Sequence, residues 1–257
     1  MQCYGQVWVN NNVKMEENIL IKEMDCHLGL PTIKSNSVQL VFTDPPYNLL
    51  GLDAYLDTRV YFAQFKSRVE QYKRILKYNG TLIICGRPPI IAEMLMICQE
   101  EGFVFYDWIT WHKVDSITPK KDGYSNNYEV FVVLGKSSYR LFNHIPVKSK
   151  SGNYSETVNA GSVWQHCKIS SNHKEGTKHP TQKPIKFLDT FVRTFTNEND
   201  LVIDDFNGSG TTAEACKLNN RRYIGFEIKP EFIEMSNNRL SKIDNGLFTE
   251  QGGNTCL

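Results

Sequence analysis

Hydrophobic and polar positions along the chain form two kinds of pattern. Short runs rich in Val, Ile and Phe predict buried strands, and longer stretches with apolar residues at helical spacing predict helices. The predicted strands are residues 38–43, 81–85, 103–111, 128–134, 201–204 and 222–227. The predicted helices are residues 60–77, 90–101, 184–195, 211–218 and 230–241. Strands that alternate with helices indicate a mostly parallel sheet covered by helices.

One long stretch, residues 137–177, lacks either pattern. About forty residues without regular structure are uncommon in a compact domain unless they are functional or disordered. The basic residues are also concentrated here: residues 137–178 hold six Lys or Arg against two Glu, a net charge of +4, whereas the whole chain carries +1. On charge alone a solvated loop remains the alternative. We predict a single domain, residues 1–257, with a small target-recognition region at 137–178.

Composition narrows the class of protein. With 257 residues, 40% hydrophobic and 22% charged, the chain can bury a large core. Its apolar runs, such as 82–85 and 130–134, are far shorter than the roughly 20 residues that span a bilayer, and from the polar N-terminus we expect no secretory signal. The seven cysteines are scattered and contain no C-x-x-C, which argues against a disulfide framework and a zinc ribbon. We therefore expect a cytoplasmic protein without a membrane partner.

The motif Asp44-Pro45-Pro46-Tyr47 ends the first predicted strand. Ligands of open parallel sheets bind beyond the carboxyl ends of the strands, so this turn lies where chemistry is expected. An exocyclic amino group of a nucleobase is a poor nucleophile, and a site can direct its lone pair by accepting both N–H bonds. The Asp44 carboxylate and the Pro45 carbonyl can accept these bonds, and Tyr47 can stack on an extruded base. A rigid turn without chemistry is the alternative.

A glycine-rich turn, residues 206–210, joins the strand 201–204 to the helix 211–218. Its glycines let a cofactor approach the backbone, and the absence of G-K-[ST] argues against a phosphate-binding P-loop. Glu227 ends the next strand, where an acidic side chain typically holds ribose hydroxyls. A nicotinamide oxidoreductase would fit this turn alone but would leave the motif at Asp44 unexplained.

Together with His179-Pro180-Thr181-Gln182-Lys183-Pro184, these motifs resemble the S-adenosylmethionine-dependent amino-methyltransferases of DNA, which act on adenine N6 or cytosine N4. The order of catalytic motif, recognition region and glycine turn is similar to the beta group of that family, and the resemblance covers residues 23–240. It implies a circularly permuted, seven-stranded, mainly parallel Rossmann-like methyltransferase sheet with a small recognition insertion. It also implies S-adenosylmethionine as cofactor, no metal, and double-stranded DNA as substrate through base flipping.

The resemblance assigns roles to individual residues. Catalysis falls to Asp44, Pro45, Pro46 and Tyr47. Cofactor binding falls to Asp25, Cys26, Thr181, Lys183, Asp204, Phe206, Gly208, Ser209, Gly210, Thr211 and Glu227. Within this set Asp25 and Cys26 lie near the adenine, Glu227 binds the ribose, and Thr181 and Lys183 hold the methionine carboxylate. Two positions of the turn differ from the family, because Asp205 and Asn207 stand where proline and alanine are usual.

Residues for DNA binding come from the basic stretch: Arg140, Lys148, Lys150 and Lys168. Lysines contribute sequence-independent affinity through phosphates, whereas the planar fork of Arg140 is suited to a guanine edge. The resemblance leaves a homodimer and a cognate restriction endonuclease open as partners.

Several other activities fit the sequence less well. Cytosine C5 methylation uses a Pro-Cys pair, which does not occur, and a zinc deaminase requires P-C-x-x-C, which is also absent. The spacing of His166, Cys167, His173 and His179 matches no standard zinc pattern. Aspartate rather than serine at position 44 favours adenine over cytosine N4. Cytosine N4 methylation and a non-catalytic DNA-binding subunit of a methyltransferase pair remain alternatives.

Overall fold

The structure, a computed structural model, describes residues 18–46, 57–115, 121–145, 147–148, 154–155 and 161–244. Its strands are β1 (Ile19–Glu23), β2 (Val38–Thr43), β3 (Leu76–Gly86), β4 (Val104–Lys113), β5 (Tyr128–Gly135), β6 (Val147–Lys148), β7 (Tyr154–Ser155), β8 (Val163–His166), β9 (Leu201–Asp204) and β10 (Arg222–Glu227). Its helices are α1 (Cys26–Gly29), α2 (Thr58–Ile75), α3 (Ile90–Glu100), α4 (Ile185–Phe195), α5 (Thr211–Leu218) and α6 (Pro230–Asp244). Within these ranges, every helix is too short or too polar to span a membrane.

One large sheet organises the fold. Its eight strands follow the order β1-β10-β9-β2-β3-β5-β4-β8, and β6 and β7 pair separately. In the large sheet only β5 is antiparallel to its neighbours. Every residue of β2 is buried, as expected for a central strand with helices on both faces. The predicted α/β class with a mainly parallel sheet is confirmed.

Helices cover both faces of the sheet because neighbouring strand residues point to opposite sides. Ile84 packs in the core beneath α2 and α3, whereas Ile83 packs in the core beneath α4 and α5. In the second core Phe131 of β5 meets Phe187 and Phe191 of α4 edge to face, with ring centroids 5.9 and 5.1 Å apart. Such aromatic pairs add packing energy beyond the area they bury, so α4 is held firmly over the centre of the sheet.

Strands β2, β9 and β10 have the predicted bounds, but β3 begins at Leu76 rather than at residue 81. Leu76 is buried and pairs with Val38, after which the register shifts before Leu40 pairs with Thr81. The intervening residues include the exposed Tyr78, so an irregular half-exposed segment conceals this end of the strand in the hydrophobic pattern.

The stretch 137–177 is not wholly irregular, because it contains β8. This four-residue strand pairs in parallel with β4 and is the eighth strand of a sheet for which seven were expected. Trp164 of β8 packs on Phe187 and Phe191 at centroid distances of 5.2 and 5.0 Å. Part of the predicted recognition region therefore belongs to the core of the domain.

Candidate active site

A cleft of about 500 Å³ lies at the carboxyl edge of the large sheet. Its walls come from the segments that follow four strands: Asp25 after β1, Asp44 after β2, Phe206 after β9 and Glu227 at the end of β10. Pockets for small-molecule ligands typically measure about 300–1,000 Å³. The parallel topology thus gathers at one edge motifs that are far apart in sequence.

The glycine turn has a conformation that requires two of its glycines. Gly208 and Gly210 have φ of +49° and +76°. A Cβ on Gly210 would lie 1.9 Å from Oγ of Ser236, and one on Gly208 would lie 3.0 Å from Nε2 of His179. At these two positions no side chain separates the backbone of the turn from His179 or from α6.

Asp204 supports the turn from below. Its Oδ1 accepts a hydrogen bond from the Phe206 N–H at 3.0 Å, and its Oδ2 accepts one from Oγ1 of Thr212 at 2.6 Å. Burial raises the pKa of this carboxyl to about 8. Asp204 is consequently a structural residue of the turn, enclosed by protein groups.

Glu227 ties the end of β10 to the glycine turn. One carboxylate oxygen accepts from the Gly208 N–H at 2.9 Å, and the other accepts from the Ile228 and Lys229 N–H groups at 2.9 and 3.0 Å. A carboxylate offers about four lone-pair sites, so these contacts leave capacity for a further donor from the cleft.

The residues predicted to bind a cofactor divide into two groups. Those that line the cleft are Asp25, Cys26, Thr181, Phe206, Gly208 and Glu227. Those that do not are Lys183, Asp204, Ser209, Gly210 and Thr211. Ser209 and Thr211 are buried, and Nη1 of Arg239 donates to Oγ1 of Thr211 at 3.1 Å. These side chains hold the turn in place from behind.

The catalytic motif faces the same cleft. Asp44, Pro45 and Pro46 line it, while Tyr47 lies outside the described residues. The Asp44 side chain is 18% exposed, and its Oδ2 accepts a hydrogen bond from Nζ of Lys183. The resemblance assigns Lys183 to the methionine carboxylate of the cofactor, whereas here its ammonium is paired with the carboxylate of Asp44.

Arg68 is the cleft residue that sequence reasoning missed. It lies on α2 with a side chain 5% exposed, its Nε is 3.6 Å from Oδ2 of Asp205, and its guanidinium is 5.2 Å from the Phe206 ring centroid. Its Nη1 lies 3.3 Å from Nε2 of His27. Arg68 thus joins the segments after β1 and β9, and it accounts for an aspartate at the position where proline was expected.

A signal for Arg68 exists in the sequence. Tyr61, Phe65, Arg68 and Tyr72 recur at intervals of three and four residues, so the arginine occupies the apolar face of a helix. An arginine at such a position requires a buried partner. Here the partner is Asp205, which also accepts a hydrogen bond from the Tyr72 hydroxyl.

Of the four residues predicted to bind DNA, the two whose side chains the structure describes do not line the cleft. Arg140 pairs with Asp107 at 3.3 Å and lies over Tyr106, near Phe195 at the end of α4 that is remote from Lys183. Lys168 is exposed just beyond β8, on the edge that carries the cleft. The side chain of Lys148 and the whole of Lys150 lie outside the described residues.

The four residues weighed as a metal cluster do not converge either. His179 packs on Phe232, with ring centroids 4.4 Å apart, beside the glycine turn. His166 and His173 lie near each other, with ring centroids 6.1 Å apart. In the part of the chain that the structure describes, the one group with metal-ligand geometry is Asp25, Cys26 and His27. There burial, with Asp205, raises the pKa of the Cys26 thiol, which disfavours the thiolate that a metal requires.

Comparisons with known proteins agree with this geometry. The family model described as DNA methylase, which covers N6 and N4 methyltransferases, matches residues 38–238. The chain is 34% identical over 229 residues to the Type II methyltransferase M.HpaI of Haemophilus parainfluenzae, covering 85% of this chain and 73% of that protein. It is 28% identical to the DNA adenine methyltransferase YhdJ of Escherichia coli K12, covering 84% of this chain and 80% of YhdJ.

Solved structures show the same fold. The crystal structure of an M1.HpyAVI–SAM complex matches with a TM-score of 0.67 at 25% identity and covers 86% of this chain and 98% of that one. The cytosine-N4-specific PvuII DNA methyltransferase matches in fold with a TM-score of 0.70 at 20% identity, covering 92% of this chain and 89% of that one. The match of the family model to most of the chain, with a cleft built from the motifs of that family, shows that the protein belongs to the N6 and N4 DNA methylases.

Proposed function

We propose that the protein transfers a methyl group from S-adenosylmethionine to N6 of adenine in double-stranded DNA. The observation that carries this proposal is the position of Asp44 and Pro45 in the wall of the cleft that the glycine turn and Glu227 also line. Groups that can orient an amino group and groups that can hold a cofactor therefore meet in one cavity.

The residues of the cleft fit the cofactor. Glu227 keeps capacity to accept a hydrogen bond from a ribose hydroxyl, Phe206 presents a ring to the cleft, and Gly208 lets a ligand approach the backbone. Burial, assisted by Lys183, lowers the pKa of His179 to about 4, so this cleft residue carries no positive charge near neutral pH to oppose a sulfonium. Asp25 lines the same cavity, and the resemblance assigns it to the adenine of the cofactor.

Asp44 and Pro45 act on the target amino group. When bound, S-adenosylmethionine supplies the methyl group, which gains its bond to nitrogen as the C–S bond breaks and leaves its electron pair on sulfur. The Asp44 carboxylate and the Pro45 carbonyl accept the two N–H bonds and so direct the nitrogen lone pair. After attack the nitrogen carries a positive charge and is strongly acidic, so its extra proton passes to the Asp44 carboxylate and then to water. Tyr47 stacks on the extruded base.

The choice of adenine rests on the resemblance, within which aspartate rather than serine at position 44 favours adenine over cytosine N4. YhdJ, whose name specifies adenine, supports this choice, whereas the PvuII structure shows that the fold also serves cytosine N4. The test is to incubate unmethylated duplex DNA with radiolabelled cofactor and to analyse the nucleosides. We expect N6-methyladenine; labelled N4-methylcytosine, or label in RNA alone, would contradict the assignment.

Glu227→Ala tests the cofactor half of the site. The change removes a charged acceptor of the cofactor and also releases the Gly208 N–H, so we expect affinity for S-adenosylmethionine to fall by about 1–3 kcal/mol, roughly 5- to 150-fold in Kd. Isothermal titration calorimetry measures this change. Glu234→Ala, at an exposed position of α6, is the matched control. An unchanged Kd for Glu227→Ala would place the ribose elsewhere.

We further propose that residues 137–178 form the DNA-recognition region. The net charge of +4 and the exposed position of Lys168 on the edge that carries the cleft support this proposal. Trp164 of β8 packs on α4, and Arg140 is paired with Asp107, so the surface contacting DNA is smaller than the whole stretch.

Lys148→Ala combined with Lys150→Ala tests this region. Removing two phosphate contacts should weaken binding to all duplexes and reduce the slope of log K against log salt by about 2, with cofactor affinity unchanged. Fluorescence anisotropy at several salt concentrations provides the measurement. Lys34→Ala is the control, because Lys34 is exposed before β2 and thus at the opposite edge of the sheet. Normal DNA binding by the double variant would remove the electrostatic argument for this region.

A further inference from the structure

Lys183 occupies a position that binding of the cofactor carboxylate does not explain. Its side chain is 6% exposed, and its Nζ donates to Oδ2 of Asp44 and lies 3.4 Å from Oε2 of Glu129. It does not line the main cleft, but it lines a cavity of about 30 Å³ that adjoins the cleft at Asp44. It immediately precedes Pro184 and the start of α4, whose aromatic packing on Phe131 fixes the helix over the sheet. The ammonium is therefore held between two carboxylates by a rigid element.

Glu129 anchors the other side of this ammonium. It is the second residue of the antiparallel strand β5, so it lies at the same edge of the sheet as the carboxyl end of β2. Nζ of Lys113 donates to its Oε1, and Nε of Arg87 is 3.6 Å from the same oxygen. Burial favours the neutral acid, but Lys183 and Lys113 outweigh it and lower the pKa of Glu129 to about 2, so the carboxylate stays ionised.

Burying charged groups is expensive unless each is paired and hydrogen-bonded. The row Lys113, Glu129, Lys183 and Asp44 alternates in sign and ends at the residue that contacts the substrate amino group in the proposed mechanism. Because Oδ2 of Asp44 accepts a hydrogen bond from Nζ of Lys183, rotation of the carboxylate is restricted. The other lone pairs of the carboxylate therefore point in a fixed direction before the base binds. Electrostatic preorganisation requires acceptors that are fixed in this way.

We infer that Lys183 is a positioning residue for Asp44, anchored by Glu129, and that it does not bind the cofactor carboxylate. This inference rests on the proposed function, because it assigns Asp44 the target amino group. It differs from the role that the resemblance gives Lys183, and the two roles predict different effects of substitution on cofactor affinity and on rate. A residue that binds the cofactor affects the Kd of S-adenosylmethionine, whereas a residue that positions Asp44 affects the rate at saturating cofactor.

The test compares Lys183→Met, Glu129→Gln and the control Lys186→Met, an exposed lysine of α4. Calorimetry gives the Kd for S-adenosylmethionine, and single-turnover methylation of duplex DNA at saturating cofactor and DNA gives the chemical rate. We expect Lys183→Met to lower the rate about 100-fold or more with Kd changed less than about twofold. Glu129→Gln should lower the rate about tenfold and should add little to Lys183→Met, because both act through Asp44. Lys186→Met should match the unmodified protein.

A rise in Kd of about tenfold or more, or an unchanged rate, in Lys183→Met would overturn the inference. Additive effects of the two substitutions would also overturn it, since they would show that Glu129 acts independently of Lys183. If Lys183→Met does not fold by circular dichroism, Glu129→Gln decides by the same criteria for rate and Kd. Absence of any DNA methylation by the unmodified protein would instead refute the proposed function, so the two failures are distinguishable.

Discussion

Asp44→Ala should reduce methylation of duplex DNA about 100-fold or more while leaving the Kd for S-adenosylmethionine within about twofold of the original value. The carboxylate serves the target amino group, whose new bond to the methyl carbon begins to form only as the reaction approaches the transition state, and it does not contact the cofactor in this role. Single-turnover assays at saturating cofactor measure the rate, and calorimetry measures cofactor binding. A variant that kept a tenth of the original activity would show that Asp44 does not have this role.

Asp44→Asn is an informative companion because it preserves the shape of the side chain. Lys183 can only donate hydrogen bonds, so it should bind the amide oxygen and turn the amide NH₂ toward the cleft. The substrate amino group would then meet a donor instead of an acceptor. We therefore expect Asp44→Asn to be nearly as inactive as Asp44→Ala.

Arg68→Met should cause the largest loss of stability among the substitutions considered, about 3–5 kcal/mol in the free energy of unfolding. It leaves the carboxylate of Asp205 buried without its cationic partner, although the Tyr72 hydroxyl still donates to it. Urea denaturation followed by circular dichroism measures the change. Arg59→Met is the control, because that side chain is 94% exposed and should change stability by less than about 0.5 kcal/mol.

The loss should depend on pH and on Asp205. Burial raises the pKa of Asp205, and Arg68 opposes that rise, so removing Arg68 raises the pKa further above the unfolded value of about 3.9. The folded variant then binds a proton more tightly than the unfolded chain. The loss of stability in Arg68→Met is therefore complete above the pKa of Asp205 in the folded variant. It becomes smaller as pH falls toward about 4. Arg68→Met combined with Asp205→Asn should recover most of the stability at pH 7; no recovery would assign the loss to packing alone.

Local sequence patterns predicted most strands of the sheet and the motifs that form the cleft. Buried strands such as β2 and β9 consist mostly of apolar residues, and the residues that follow them carry the motifs that form the cleft. Strand β8 was missed because its four residues are at most half-buried and form no apolar run, unlike the four of β9, and it is held in the sheet by pairing with β4.

Side-chain partners were less predictable than elements. The resemblance assigned Lys183 to the carboxylate of the cofactor, but only the sheet, in which β3 alone separates β2 from β5, identifies Asp44 and Glu129 as its neighbours. Likewise the local charge count suggested Arg140 for DNA, yet its guanidinium is engaged with Asp107 and aromatic rings. A charge count gives the number of cations in a segment but not the direction in which each side chain points.

The pairing of β2 with β9 has a consequence for synthesis of the chain. Val41 of β2 pairs with Ile203 of β9, so the centre of the sheet joins segments from opposite halves of the sequence. A ribosome releases the segment with Asp44 well before the one with Phe206 and Glu227. While the nascent chain lacks β9, one long edge of β2 is unpaired and exposed to other chains, which favours aggregation or capture by chaperones. Of these two segments, the one synthesised later thus both closes the sheet and completes the cleft.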